Sequence, residues 1–173
     1  MANGTFAALM FAAGLIDMGT NYCGTEKGCL GRSETQPRLS ISGGEILKRR
    51  AMPADEFYVR YDLGRNIGPF GTVLGFSVGE NGEIWLGFGQ TYTFDFGDSP
   101  FFAELHAMPG LYAANGGFNL GGPIEFRSGI EFGYENGAGV RFGLSYDHRS
   151  NAGLFSQNPG VETMQFRISI PLK

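Results

Sequence analysis

A chain of 173 residues normally makes one domain, so a single domain over residues 1–173 is expected. With 29 glycines, 14% aromatic residues and only 17% charged ones, the composition excludes a disordered tail and is unlike a helical enzyme. The net charge is -4 and Lys48-Arg49-Arg50 is the one basic run, which argues against nucleic acid as a partner.

The chain opens on an apolar stretch, Thr5 to Ile16. It shares its length with the hydrophobic part of a secretory signal, but no Lys or Arg precedes it and no A-x-A site follows. About twelve residues are too few for a spanning helix. The preferred reading is a first strand, Thr5–Met18, in a protein whose export signal lies upstream. Residues 19–54 then form a long loop. It holds the two cysteines, Cys23 and Cys29, which close a small disulfide ring if the compartment is oxidising and stay free thiols if it is not. A metal site would need further ligands, and the only histidines are His106 and His148, so no metal is expected.

From there period-two alternation takes over. Glu56–Leu63 sets Phe57, Val59, Tyr61 and Leu63 against Tyr58, Arg60 and Asp62. Phe70–Val78 and Ile84–Phe94 repeat the pattern, a weaker strand runs from about Ser99 to Tyr112, and a clear one covers Ile124–Tyr134. Asn81-Gly82 and Asn136-Gly137 read as two-residue hairpin turns. Strands of roughly ten residues with this dyad pattern suit a tilted membrane crossing. Eight strands of this kind make an all-β, antiparallel transmembrane β-barrel.

The last two strands carry the candidate chemistry. Val140–Ser150 places Val140, Phe142, Leu144, Tyr146, His148 and Ser150 on one face. Glu162–Leu172 follows with Glu162, Met164, Phe166, Ile168, Ile170 and Leu172 on one face. Asn158-Pro159-Gly160 makes a turn between them. In a hairpin centred near Phe155, residues whose numbers sum to 310 face each other, and His148 meets Glu162. A hydroxyl, an imidazole and a carboxylate then share one surface, as a serine hydrolase needs. The polar face, with Asp147, Arg149, Arg141, Glu125, Glu131 and Arg167, reads as an interior charge network, and His106 beside Glu104 as an ordinary interior hydrogen bond.

His148-x-Ser150-Asn151-Ala152, with a glutamate twelve residues after the serine, resembles the active-site signature of the PagL-type lipid A 3-O-deacylases, which are eight-stranded outer-membrane barrels. The resemblance implies a serine esterase that removes the 3-O-linked acyl chain, a 3-hydroxy fatty acid, from the lipid A of lipopolysaccharide. It implies Ser150 as nucleophile, His148 as general base and Glu162 as the group orienting the histidine. Asn151, with backbone N–H groups near Ala152 and Gly153, would form the oxyanion hole. No cofactor follows from it. A homodimer in the bacterial outer membrane does, with the site toward the outer leaflet. The external loops are then 151–161, 113–122, Asn81-Gly82 and 19–54, and the periplasmic turns 64–68, 95–98 and Asn136-Gly137.

Two other readings use the same strands. A non-catalytic outer-membrane barrel, adhesin or structural, shares every strand but gives no reason for the alignment of His148, Ser150 and Glu162. A soluble lipocalin-like lipid-binding barrel would turn the apolar face inward.

Overall fold

The computed structural model describes residues 4–47 and 54–173, so Lys48-Arg49-Arg50 lies outside the described residues. Among the described residues, one α-helix, α1 (Thr5–Asp17), is followed by a π-helical turn, Met18–Tyr22, and by nine strands. These are β1 (Arg32–Glu34), β2 (Arg38–Leu47), β3 (Ala54–Ile67), β4 (Phe70–Gly79) and β5 (Ile84–Asp95), then β6 (Phe101–Ala113), β7 (Ile124–Glu135), β8 (Arg141–Ser150) and β9 (Val161–Pro171). Strands β2 to β9 pair antiparallel with their neighbours, and β2 pairs with both β3 and β9, which closes an eight-stranded barrel. Short β1 adds to the end of β3 beyond a bulge, Arg32 opposite Ile67.

The eight strands are not the expected eight. Thr5–Met18 is a helix, because Ala7, Ala8, Ala12 and Ala13 with Leu9, Met10 and Leu15 are strong helix formers and the run lacks period-two alternation. The missing strand is β2, inside the segment expected to be a long external loop. Its alternation is real, with Ser40, Ser42 and Ile46 buried and Leu39 and Ile41 outward. Gly43-Gly44 interrupts the apolar side and hides it in the sequence.

Both expected two-residue turns are one residue longer. In the β4–β5 connection the Gly82 N–H donates to the Gly79 carbonyl and the Gly79 N–H to the Glu83 carbonyl, with Gly82 at φ 93. In the β7–β8 connection the Gly139 and Asn136 N–H groups donate to the Asn136 and Val140 carbonyls, with Gly139 at φ 76. Each is a type I turn closed by a left-handed glycine, the usual three-residue hairpin. In the second, Gly139 takes the left-handed place expected of Gly137.

The faces are inverted relative to a soluble barrel. Phe88 and Phe132 are 58% and 57% exposed on the outside, while Glu125 and Arg167 are fully buried inside. This apolar exterior overturns the lipocalin-like alternative, since burial of polar groups with exposure of apolar ones is favourable only against lipid. The interior is filled rather than open, as expected for eight strands. Arg127 donates to Asp147 at 2.8 Å, to Glu56 at 3.0 Å and to Gln165 at 3.1 Å, and its guanidinium lies over the Tyr58 ring at 4.0 Å. Arg149 pairs with Glu56, Arg167 with Glu131 and Arg60 with Glu104. Glu125, expected in this network, has no partner for either carboxylate oxygen among the described residues. His106 approaches Asp147 at 3.5 Å without a hydrogen bond.

Candidate functional site

Strands β8 and β9 run in the register that places His148 opposite Glu162. The imidazole Nδ1 lies 3.3 Å from Glu162 Oε1. Both residues stand on the outer, lipid-facing side of the barrel, the side of Tyr146 and Met164, near the end where the 151–160 loop leaves the sheet. His148 and Ser150 are nonetheless both buried, at 2% and 8% exposed.

Gly160 accounts for part of that burial. It sits at φ 58, and a Cβ there would meet His148 Cε1 at 3.1 Å and Nε2 at 3.7 Å. The glycine therefore backs the Cε1–Nε2 edge of the imidazole directly. Nε2 itself has no hydrogen-bond partner among the described residues. A free Nε2 opposite a carboxylate-bound Nδ1 is the arrangement in which an imidazole can accept a proton from a hydroxyl.

The turn after Ser150 is unusual. The Leu154 N–H donates to the Asn151 carbonyl at 3.0 Å, with Ala152 at φ 53 and Gly153 at φ 81 between them. Two positive φ values in succession are the mark of a primed turn, and a left-handed alanine carries strain. Asn151 is what secures it. Its Nδ2 donates to the Leu120 carbonyl at 2.8 Å and the Gln157 carbonyl at 2.7 Å, and its Oδ1 accepts from the Gly153 N–H at 3.0 Å. Its own N–H donates to Asn158 Oδ1 at 3.1 Å. Asn151 is fully buried and stitches the 114–123 and 151–160 loops together. Its amide is committed to carbonyls, where an oxyanion donor was expected, and the Gly153 N–H is engaged as well. Of the three expected donors, the Ala152 N–H is left without a partner among the described residues.

Sequence reasoning missed two parts of the site. Ser128, on β7, is the direct cross-strand neighbour of His148 on the side away from Glu162, and it is buried. Its signal was available: it is the one polar residue in the outward series Ile124, Phe126, Ser128, Ile130 and Phe132. The other is α1, which lies against the outside of β5, β6 and β7. Between them runs a cavity of about 720 Å³, and Ser128, His148, Ser150 and Ala152 all line it.

Cys23 and Cys29 are joined as a disulfide. Their ring was expected at the same end of the barrel as the 151–161 loop, and it is not there. It packs by the β3–β4 turn, where the Gly68 N–H donates to the Gly31 carbonyl, at the end of the barrel opposite His148.

Known proteins share both this barrel and the segment that carries the site. The family model described as lipid A 3-O-deacylase (PagL) matches residues 56–171. The chain belongs to this family. Among solved structures it resembles the outer membrane enzyme PagL, with a TM-score of 0.60 at 23% identity over 78% of this chain and 99% of that one. A de novo designed transmembrane β-barrel gives a TM-score of 0.59 at 8% identity, covering 81% of this chain and 98% of that one. Neisserial surface protein A gives 0.56 at 11% identity, covering 82% and 99%. At these identities the likenesses establish the outer-membrane barrel fold, and the family match adds what the barrel is for. Comparison with curated protein sequences gives no match.

Proposed function

We propose that this outer-membrane lipid A 3-O-deacylase works as a serine esterase, with Ser150, His148 and Glu162 as its catalytic residues. What supports the reading is the 3.3 Å approach of His148 Nδ1 to Glu162 on the lipid-facing surface, with Nε2 left without a hydrogen-bond partner among the described residues and Ser150 lining the same cavity as His148. An esterase whose substrate is a membrane lipid needs its nucleophile on that surface rather than in the barrel lumen.

The steps follow from the groups present. His148 Nε2 takes the Ser150 hydroxyl proton as the oxygen forms a bond to the ester carbonyl carbon. The carbonyl oxygen becomes an oxyanion, and the Ala152 N–H, the one expected donor without a partner among the described residues, is assigned to receive it. Collapse breaks the bond between the carbonyl carbon and the sugar 3-oxygen, which leaves with the proton from His148. Water then gives its proton to His148, attacks the acyl-serine and releases a 3-hydroxy fatty acid, and the proton returns to Ser150. Glu162 holds the imidazole in the right tautomer and offsets its positive charge in both halves. The site stands at the end of the barrel opposite the β7–β8 turn, which fits access from the outer leaflet.

Two serines flank His148, and the experiment separates them. Lipid A is incubated with detergent-refolded wild type, Ser150→Ala and Ser128→Ala, and its mass spectrum is recorded. Loss of one 3-hydroxyacyl chain is expected with wild type and Ser128→Ala and not with Ser150→Ala. If Ser128→Ala is the inactive one, the nucleophile is misassigned. Unchanged lipid A from folded wild type would sink the reading altogether.

A further inference from the structure

Helix α1 lies outside the residues that match the family and packs where lipid would otherwise touch the barrel. Met10 is fully buried against Phe70 and Leu105, both on the outer surface. Phe6 meets Tyr146 edge-on at 6.0 Å, and Asp17 accepts a hydrogen bond from the Tyr92 hydroxyl at 3.2 Å. The opposite side of the helix, Leu9, Leu15 and Ile16, is exposed and apolar. A helix apolar all round, touching protein on one side only, rests its other side in lipid. The Cys23–Cys29 ring and β1 tether its C-terminal end to β3.

Gly4, Ala7 and Phe11 of this helix line the same cavity as Ser150. Spaced three and four residues apart, they form one stripe along the helix, about 10 Å long at 1.5 Å per residue. Ala107, Pro109 and Phe126 form the facing wall on β6 and β7. The stripe is graded. Gly4 and Ala7 are small, and Phe11, one turn further along, is bulky, with its ring 6.1 Å from that of Phe70. The polar side chains open to it are those beside His148, because Arg127, whose backbone also borders it, turns its guanidinium into the barrel toward Asp147 and Glu56. A volume near 720 Å³ is in the range that holds a small ligand.

We propose that α1 is the outer wall of the acyl-chain site, and that Ala7 and Phe11 set which chain lengths the enzyme accepts. This rests on Ser150 being the nucleophile. The ester carbonyl at Ser150 fixes where the acyl chain starts, and the groove leading away from it is apolar on both walls, so the occupant is the acyl chain of the lipid being cleaved. Without α1 that chain would lie in open bilayer and its length would be immaterial.

The test uses refolded full-length protein and a series of glucosamine 3-esters that differ only in acyl length. Ala7→Phe narrows the groove and is expected to lower kcat/KM for the longest ester relative to the shortest by roughly tenfold or more, since single methylenes in an apolar pocket discriminate on that scale. Phe11→Ala lengthens it and shifts the preference toward longer chains. Ile16→Ala, on the lipid side, leaves the wild-type profile. Independently of turnover, an ester with a photoactivatable group at the end of its acyl chain is cross-linked to Ser150→Ala and the labelled peptides are mapped. Label on α1 and β6–β7 supports the groove, whether or not the chemistry at Ser150 holds. Label confined to β2 and β9, or one length profile shared by all three variants, overturns it. Should Ala7→Phe fail to fold, Phe11→Ala and the cross-link decide.

Discussion

Asn151 is where two roles make opposite predictions. An oxyanion donor would stabilise the transition state and leave the resting loops alone. The structure instead gives its side chain three hydrogen bonds in the resting state, to the Leu120 and Gln157 carbonyls and from the Gly153 N–H. Each such bond contributes about 0.5–1.5 kcal/mol net, so Asn151→Ala is expected to release about 1.5–4.5 kcal/mol of order in the 114–123 and 151–160 loops. Asn151→Asp keeps the acceptor for Gly153 but faces two carbonyls with oxygen at 2.7–2.8 Å, and is expected to be at least as damaging as alanine. Amide hydrogen exchange reports the loops while turnover of lipid A reports the chemistry. Both variants should lose protection in the two loops, leave the strands protected, and lose activity in proportion. If turnover instead falls by about two to three orders of magnitude while both loops stay protected, the reasoning is refuted and Asn151 returns to the oxyanion hole.

Two other substitutions test the supports of the site. Arg127→Met keeps volume but strips Asp147 of its guanidinium while Glu56 retains Arg149 at 3.0 Å. Removing one partner of a buried pair costs about 3–5 kcal/mol. It is read as a fall in the urea midpoint followed through the single, fully buried Trp85, and a loss below about 1 kcal/mol would show that the interior network is not what stabilises the barrel. Gly160→Ala places a Cβ 3.1 Å from His148 and strains a left-handed position by about 1–2 kcal/mol. Turnover is expected to fall about a hundredfold with little change in KM. Wild-type turnover from the folded variant would mean that Gly160 does not position the imidazole.

How legible the protein was depends on whether a feature lives in strand periodicity or outside it. The seven strands from β3 to β9 were readable because alternation survives in each, and the pairing of His148 with Glu162 followed from a turn and a period of two. Where the period is broken the sequence misleads. Gly43-Gly44 conceals β2, and the apolar run Thr5–Ile16, taken for a strand, is a helix whose signal is alanine's propensity rather than any alternation. Contacts made between loops leave no periodic trace at all. Nothing local to Asn151 says that its amide reaches Leu120, thirty-one residues back.

The same distinction explains why the site takes the form it does. This barrel has no room inside for a lipid, because its lumen is filled by Arg127, Tyr58 and Trp85. On the proposed assignment, chemistry on the lipid happens on the outer wall, where a lone serine and histidine would be exposed polar groups in a sea of acyl chains. The structure resolves that conflict by burying His148 under Gly160 and covering the flank with α1. An exterior site with an interior's protection needs elements that the barrel pattern does not supply. These are the left-handed turn at Ala152 and Gly153, the loop stitch at Asn151 and the N-terminal helix, the features that alternation could not announce.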